Sequence, residues 1–523
     1  MGEISQVMPL SGRKLLAPLV ALACVTLTGA AVVAPASAAA TKECRPSVAG
    51  LNLQTVTIPQ LQKVLSSGKT TSLRLVDAYL DRIAAYDGQV NSIRALNPQA
   101  LKLAGRLDKE RSAGKIRGPL HGIPVLLKDN IGTRDMPTTA GSIALKGSIP
   151  LEEATITTKL EEAGAIILGK TNLSEFANWV DLSMPNGYSS LGGQVRNAYT
   201  FGDPSGSSSG SGVAGSMAFA TGTVGTETSG SILSPSMANS LVGIKPTTGL
   251  LSRFGIIPLA PSFDTPGPMT RTVTDAAIML GVMAGVDDKD ERTVDSGDAP
   301  SNYTEFLTTD ALKGARIGYS PDDLGNNGLF QEALEVLEKE GATLVETDNL
   351  SNTSLVGISE IGLIPNEFKA SLNQYLADQT PDTLRVRTLG DIVSYNEEHP
   401  DKVKYGQNLL IASNAQPGVY HPASAEATIQ SSRAVIDATL MADDLDAIAA
   451  PGNTYANVSA AAGYPTVIVP AGYQGKTAFG LSFLANGFSE PRLISYAYDY
   501  EQSTKLRVPP TVLNELLVPE RCG

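Results

Sequence analysis

Hydrophobic and polar positions along this chain switch repeatedly between a helical period and short unbroken apolar runs. Residues 57–86 carry the helical period. Leu73, Val76, Tyr79, Leu80 and Ile83 recur on one face, with Ser72 as the expected N-cap. Val125-Leu126-Leu127 follows a Gly/Pro turn and predicts a buried strand. Ala165–Leu168 predicts another, preceded by a helix over Ile156–Ala163. Arg316–Tyr319, Leu329–Glu340 and Ala342–Val345 then predict strand, helix and strand. Residues 425–440 predict a helix and Thr466–Val469 a buried strand. No internal repeat is visible. Strands alternating with helices over the whole length predict an α/β fold with a largely buried sheet. The charged stretch 287–302 reads as a domain boundary or a surface insertion. The same patterning on both sides of it favours the insertion.

Composition narrows the function classes. Hydrophobic residues make up 42% of the chain and charged residues 18%, against about 25% charged in an average soluble protein. Such a chain builds a large core and is not intrinsically disordered. The formal charge is −13, and no Lys/Arg run exceeds two residues, which speaks against a nucleic-acid partner. His121, His399 and His421 are the only histidines. They lie far apart, without HxxxH or HxH spacing, so a His-rich metal site is not expected.

The N-terminal segment reads as an address rather than as fold. Arg13 and Lys14 precede an uncharged stretch from Leu15 to Val33, and Ala34-Pro-Ala-Ser-Ala-Ala-Ala40 follows. This is a positive, apolar and small-residue series with an A-x-A exit, the pattern of a signal peptide over residues 1–38. The expectation is a bacterial secreted, extracellular protein of residues 39–523, with no membrane anchor left after cleavage. Cys24 would leave with the signal. Cys44 and Cys522 would remain, and in an oxidising compartment an isolated pair is expected to form a disulfide.

One motif is a false lead. Gly164-Ala-Ile-Ile-Leu-Gly-Lys170-Thr171 matches G-x-x-x-x-G-K-S/T letter for letter. A phosphate loop needs exposed backbone N–H groups in a flexible turn. Here the variable positions are apolar and form the expected strand itself.

Three segments carry candidate chemistry: His121-Gly-Ile-Pro-Val-Leu-Leu-Lys128-Asp129-Asn130, Asp203-Pro-Ser-Gly-Ser207-Ser-Ser-Gly-Ser-Gly212, and Gly225-Thr-Glu227-Thr-Ser-Gly-Ser231-Ile232. Taken singly, each has a bland reading: a solvated turn lysine, a Gly/Ser linker and a helix N-cap. Taken together they resemble the amidase signature family of serine hydrolases. The family's P-G-G-S-S-G-G-S stands here as Pro204-Ser-Gly-Ser-Ser-Ser-Gly-Ser211. Its G-T-D-x-G-G-S is matched with Glu227 and Ser229 in place of Asp and the first Gly. Leu168–Phe176, Val242–Gly249, Phe263–Thr272, Ala462–Ala471 and Tyr498–Gln502 resemble further family blocks in the family's order.

The resemblance implies a single large domain with a central mixed β-sheet covered by helices on both faces. It implies core motifs at 120–275 and 440–510, with a substrate-shaping insertion over about 350–440. It also implies a catalytic group with Ser231 as nucleophile, Ser207 as the bridging serine after a cis peptide bond, and Lys128 as base. The backbone N–H groups of Thr228, Ser229, Gly230 and Ser231 match the family's oxyanion hole. The residues support the set on their own terms. A serine hydroxyl needs a base, and three scattered histidines leave little material for a Ser–His–Asp triad. A lysine at an apolar strand end can be desolvated into a neutral amine. One departure is Leu233, where many members have an arginine; Glu227 then lacks that partner. The expected activity is hydrolysis of a C–N amide bond through an acyl-enzyme, with no metal or other cofactor. The substrate would be a small-molecule or peptide amide. An aryl-acylamidase or esterase on the same site is a second reading, and a secreted binding protein on a dead scaffold is a third.

Overall fold

A single mixed sheet organises the molecule. The computed structural model describes residues 47–325, 327–348, 350 and 362–519. Within them the sheet has 11 strands. In chain order these are β1 (Ile93–Leu96), β2 (Pro124–Lys128), β3 (Ile166–Thr171), β4 (Gly222–Glu227), β5 (Val242–Lys245), β6 (Thr265–Thr270), β7 (Arg316–Tyr319), β8 (Thr343–Glu346), β9 (Ala447–Pro451), β10 (Thr466–Gln474) and β11 (Thr477–Leu484). Across the sheet they run β8-β7-β9-β11-β10-β5-β6-β4-β2-β3-β1. The trio β3-β2-β4 is parallel, with Val125 opposite Gly222 and Lys128 opposite Thr171. Strand β6 returns antiparallel and sets Thr265 against Glu227. The C-terminal ends of β2, β3 and β4 therefore meet at one edge. In parallel arrangements that edge is where side chains are free to converge on a ligand.

β2, β3 and β4 are buried at every position. That is why their sequences are continuous apolar or small-residue runs rather than alternations. Helices pack on the sheet and complete an α/β fold with one principal hydrophobic core.

The expected elements are present with local shifts. The first helical stretch is two helices, Ile58–Ser66 and Ser72–Val90. Thr71, not Ser72, caps the second, accepting the Arg74 N–H at 3.2 Å. The Asp108 carboxylate takes the N–H groups of Ser72 and Leu73. Leu73 is consequently exposed in the first turn, and the buried stripe starts at Leu75 and runs through Val76, Tyr79 and Ile83. β10 extends past Val469 to Gln474 and pairs with β11 as a hairpin. Pro470 and Gly472 flank a register shift there, which breaks the apolar run that marks the strand in the sequence. The stretch 202–216 is not a linker. It enters the helix Ser209–Ser216, all of whose residues are buried. A Cβ at Gly210 would stand 2.3 Å from the Asn172 carbonyl oxygen, so this approach needs glycine.

Residues 1–46 and 520–523 lie outside the described residues, and with them the expected signal peptide and both members of the expected Cys44–Cys522 pair.

Candidate active site

Lys128 ends β2 and is fully buried. Its Nζ lies 2.8 Å from Ser207 Oγ, 2.9 Å from Thr226 Oγ1 and 3.2 Å from the Thr226 carbonyl oxygen. Burial pushes its pKa down to about 7, against the opposing pull of the Asp264 and Glu227 carboxylates. A neutral amine has two N–H bonds and one lone pair. The two oxygens of Thr226 accept the N–H bonds, which turns the lone pair to the Ser207 hydroxyl. In that state the amine can receive the hydroxyl's proton.

Ser207 follows the cis Gly206–Ser207 peptide bond. Its carbonyl accepts the Ser174 N–H at 3.0 Å, and the residue is 1% exposed. The next residue reaches the third segment: the Ser208 N–H donates to the Ser231 carbonyl at 3.2 Å. Ser231 lies in the turn that leaves β4, after Gly230 at φ +77°. The structure thus brings the Lys128, Ser207 and Ser231 segments together.

Glu227 fixes that turn. Its Oε2 accepts the N–H groups of Ile232 at 2.7 Å and Leu233 at 3.0 Å. The Gly230 N–H also supports its charge. One of the four N–H groups expected in the oxyanion hole is therefore drawn to a carboxylate of the chain itself. With Leu233 in place of an arginine, the positive charge that acts on Glu227 is that of Lys245, fully buried on β5, whose Nζ itself bonds the Pro246 carbonyl at 3.3 Å. Burial raises the Glu227 pKa and Lys245 opposes the rise, while burial pushes Lys245 down to about 8. Thr228 donates its hydroxyl to Asp264, whose other oxygen takes the N–H groups of Leu259 and Ala260. The Ser229 hydroxyl bonds Asn457 Oδ1 at 2.6 Å.

Thr226, Asn130, Asp264 and Lys245 are the members of the site that the sequence does not announce. Thr226 and Asp264 lie inside motif blocks, but their side-chain partners are set by strand register. Asn130 follows the Lys128-Asp129 pair, and its Nδ2 reaches Thr226 Oγ1 at 3.0 Å.

Two other sequence candidates separate from the site. Lys170 sits within β3, fully buried. Its Nζ bonds the Ile131 carbonyl at 2.5 Å and Thr138 Oγ1 at 2.8 Å, with Asp129 Oδ1 at 3.9 Å. Residues 166–171 are strand, so the phosphate-loop match has no loop. The His121 ring lies 2.9 Å from the Leu107 carbonyl through Nε2 and receives the Arg117 N–H at Nδ1, a structural role under helix Ala100–Ser112.

A cavity of about 350 Å³ opens beside the Lys128 end of this constellation. Thr226 and Thr228 form part of its inner wall, and Tyr375 on helix Leu363–Gln379 faces them.

The sequence pattern of the Amidase family matches residues 74–494. A probable amidase of Arabidopsis thaliana is 38% identical over 476 residues, covering 88% of this chain and 92% of that protein. A glutamyl-tRNA(Gln) amidotransferase subunit from Halorhodospira halophila is 32% identical over 485 residues, covering 86% and 97%. Among solved structures, the native peptide amidase of Stenotrophomonas maltophilia superposes with a TM-score of 0.83 at 40% identity, covering 87% of this chain and 98% of that one.

Proposed function

Because this chain belongs to the amidase signature family and is an amidohydrolase acting on amides, we propose that it is a secreted enzyme that releases ammonia from primary amides, such as peptide C-terminal amides. Ser231 is the nucleophile, Ser207 the proton relay and Lys128 the base. The neutral Lys128 amine takes the Ser207 proton, and Ser207 takes the proton of Ser231. The Ser231 oxygen then bonds the carbonyl carbon. The N–H groups of the Thr228–Ser231 turn that Glu227 does not hold receive the oxyanion. Collapse of the tetrahedral intermediate breaks the C–N bond, and the relayed proton returns to the departing amine. Water then attacks the acyl ester through the same relay and frees the acid.

The observation that carries this reading is the buried Lys128 amine 2.8 Å from the Ser207 hydroxyl. Similarity to a peptide amidase supports the substrate class. The charge and hydropathy series of residues 13–40 supports export, and export supports a Cys44–Cys522 disulfide. Ammonia release from a panel of peptide amides, aliphatic amides and anilides tests the substrate. Cleavage of anilides or esters alone would replace it with the aryl-acylamidase or esterase reading. Failure of Ser231 to take a fluorophosphonate label would favour the binding protein. N-terminal sequencing of the exported protein and non-reducing mass spectrometry test the signal peptide and the disulfide.

A further inference from the structure

The cavity beside Lys128 is apolar along most of its wall, through Phe254, Ile256, Ile257, Pro258, Leu259 and Pro266. Its wall also carries charged groups, Arg253, Asp264, Lys289, Asp290 and Asp378, and the side-chain amides of Asn130 and Gln379 each keep a buried oxygen without a hydrogen-bond partner among the described residues. Asn130 is 5% exposed and lines the inner end. Its Nδ2 lies on Thr226 Oγ1, and its Oδ1 is buried without a hydrogen-bond partner among the described residues. Thr226 Oγ1 already accepts from Lys128. Turning the Asn130 amide over would let its oxygen accept the Thr226 hydroxyl proton and leave the NH2 group unpartnered instead. In either orientation one half of a buried amide is left for something in the cavity. Across the cavity stands Tyr375, 7% exposed, whose hydroxyl also has no hydrogen-bond partner among the described residues. Buried polar groups are ordinarily paired, so a polar ligand atom is the expected partner at Asn130, and the Tyr375 hydroxyl on the cavity wall offers a second polar contact.

We propose that this cavity holds the residue that carries the scissile carboxamide. Its apolar wall takes that residue's side chain. The Asn130 amide and the Tyr375 hydroxyl take the C=O and N–H of the peptide bond before it. The substrate class is then the N-acylated amide of an apolar amino acid, that is, a peptide amide with an apolar C-terminal residue. The inference rests on the primary-amide reading above and specifies it. The cavity meets the reacting segments through two of its lining residues: Thr226 accepts from Lys128, and Thr228 belongs to the Thr228–Ser231 turn.

Two substrates separate the contributions. N-acetylphenylalanine amide and 3-phenylpropanamide share the aromatic side chain and the carboxamide, and only the first has the preceding peptide bond. The mature wild-type enzyme should favour the first by about tenfold or more in kcat/KM, as expected for one buried hydrogen bond or better. Tyr375→Phe removes only the hydroxyl. It should cost about tenfold on N-acetylphenylalanine amide, cost little on 3-phenylpropanamide, and leave the pH profile unmoved. Ser371→Trp, on the same helix, fills the cavity. It should lower activity on both aromatic amides by a larger factor than on N-acetylglycine amide. Equal losses of Tyr375→Phe on both substrates, or no loss on either, would overturn the assignment of the peptide-bond contact. Unchanged aromatic turnover in a folded Ser371→Trp enzyme would overturn the side-chain site. An enzyme that releases ammonia from neither amide yet cleaves an anilide would instead overturn the primary-amide reading itself.

Discussion

Lys128 Nζ and Ser207 Oγ stand 2.8 Å apart in a pocket that solvent does not reach. The two groups come from segments 79 residues apart. They meet because β2 and β4 are parallel neighbours and the Gly/Ser segment packs over their ends. Thr226, on β4, accepts from the amine through both its hydroxyl and its carbonyl oxygen. When the amine is neutral, its two N–H bonds go to Thr226 and its lone pair is left for the Ser207 hydroxyl.

The pH dependence follows with a definite sign. Lys128 is a base only when deprotonated, and burial holds its pKa near 7 rather than the usual lysine value. Thus kcat/KM should rise with pH along a limb centred near neutrality and level off above it. The midpoint belongs to the coupled Lys–Ser–Ser unit. A profile of kcat/KM from pH 5 to 9 checks this; a flat profile would place the base elsewhere.

Ser231→Ala should abolish turnover, by about 10⁴-fold or more, and leave the melting temperature nearly unchanged. It deletes one oxygen from a turn held by Glu227 through backbone N–H groups. Ser207→Ala should cost less, because a water molecule filling the vacated space can relay the proton. Steady-state ammonia release and thermal unfolding on the same samples check both.

Much of this site is legible in sequence because its chemistry sits in contiguous blocks. Lys128 ends an apolar run, and that run is what buries it. Ser207 and Ser231 lie among small residues whose lack of side chains lets three segments approach. The positions that sequence does not reveal are those fixed by register. Thr226 faces Lys128 because of the β2–β4 pairing. Lys245 answers Glu227 from β5, two strands away in the sheet. The helix start at Ser72 combines a local cap, Thr71, with a distant one: Asp108, 36 residues away, takes the Ser72 N–H. The 350–440 stretch has no motif of its own. Its contribution to the cavity, through Ser371 and Tyr375, depends on how one helix packs.

Glu227 and Lys245 should be energetically coupled. Glu227→Gln weakens the acceptor for the Ile232 and Leu233 N–H groups and leaves Lys245 buried with Glu490 as its remaining countercharge. A loss of about 2–4 kcal/mol in stability is expected, with reduced kcat as the Ser231 turn loosens. Lys245→Met in the Glu227→Gln background should recover part of the stability but not the kcat. A double-mutant cycle read by denaturant unfolding checks the coupling; strictly additive losses would dismiss it.

Lys170 should matter to the fold and not to the pH limb. Its ammonium secures the Ile131 carbonyl and Thr138, and faces Asp129 in the interior. Lys170→Ala leaves a cavity and removes the largest positive charge acting on the buried Asp129 carboxylate, a loss of about 3 kcal/mol or more. The limb should remain near pH 7 in whatever folded enzyme survives.

Lys128→Met offers the reverse test, in which function and stability part company. A lysine whose folded pKa is about 7 instead of 10.5 is a group that the unfolded chain protonates more readily. Its destabilising effect is full below pH 7, shrinks as pH rises from 7 to 10.5, and vanishes above that. The pKa difference sets an upper bound of roughly 5 kcal/mol, at about 1.4 kcal/mol per pH unit. Methionine has similar length and no charge to desolvate. Lys128→Met should therefore be inactive, yet more stable than wild type at pH 6 by about 2 kcal/mol or more. That advantage should narrow as pH rises through 9. Chemical denaturation of both proteins at pH 6 and pH 9 measures it. A wild-type protein more stable than Lys128→Met at pH 6 would show that the ammonium form is well accommodated where it lies, and that burial does not tune this amine.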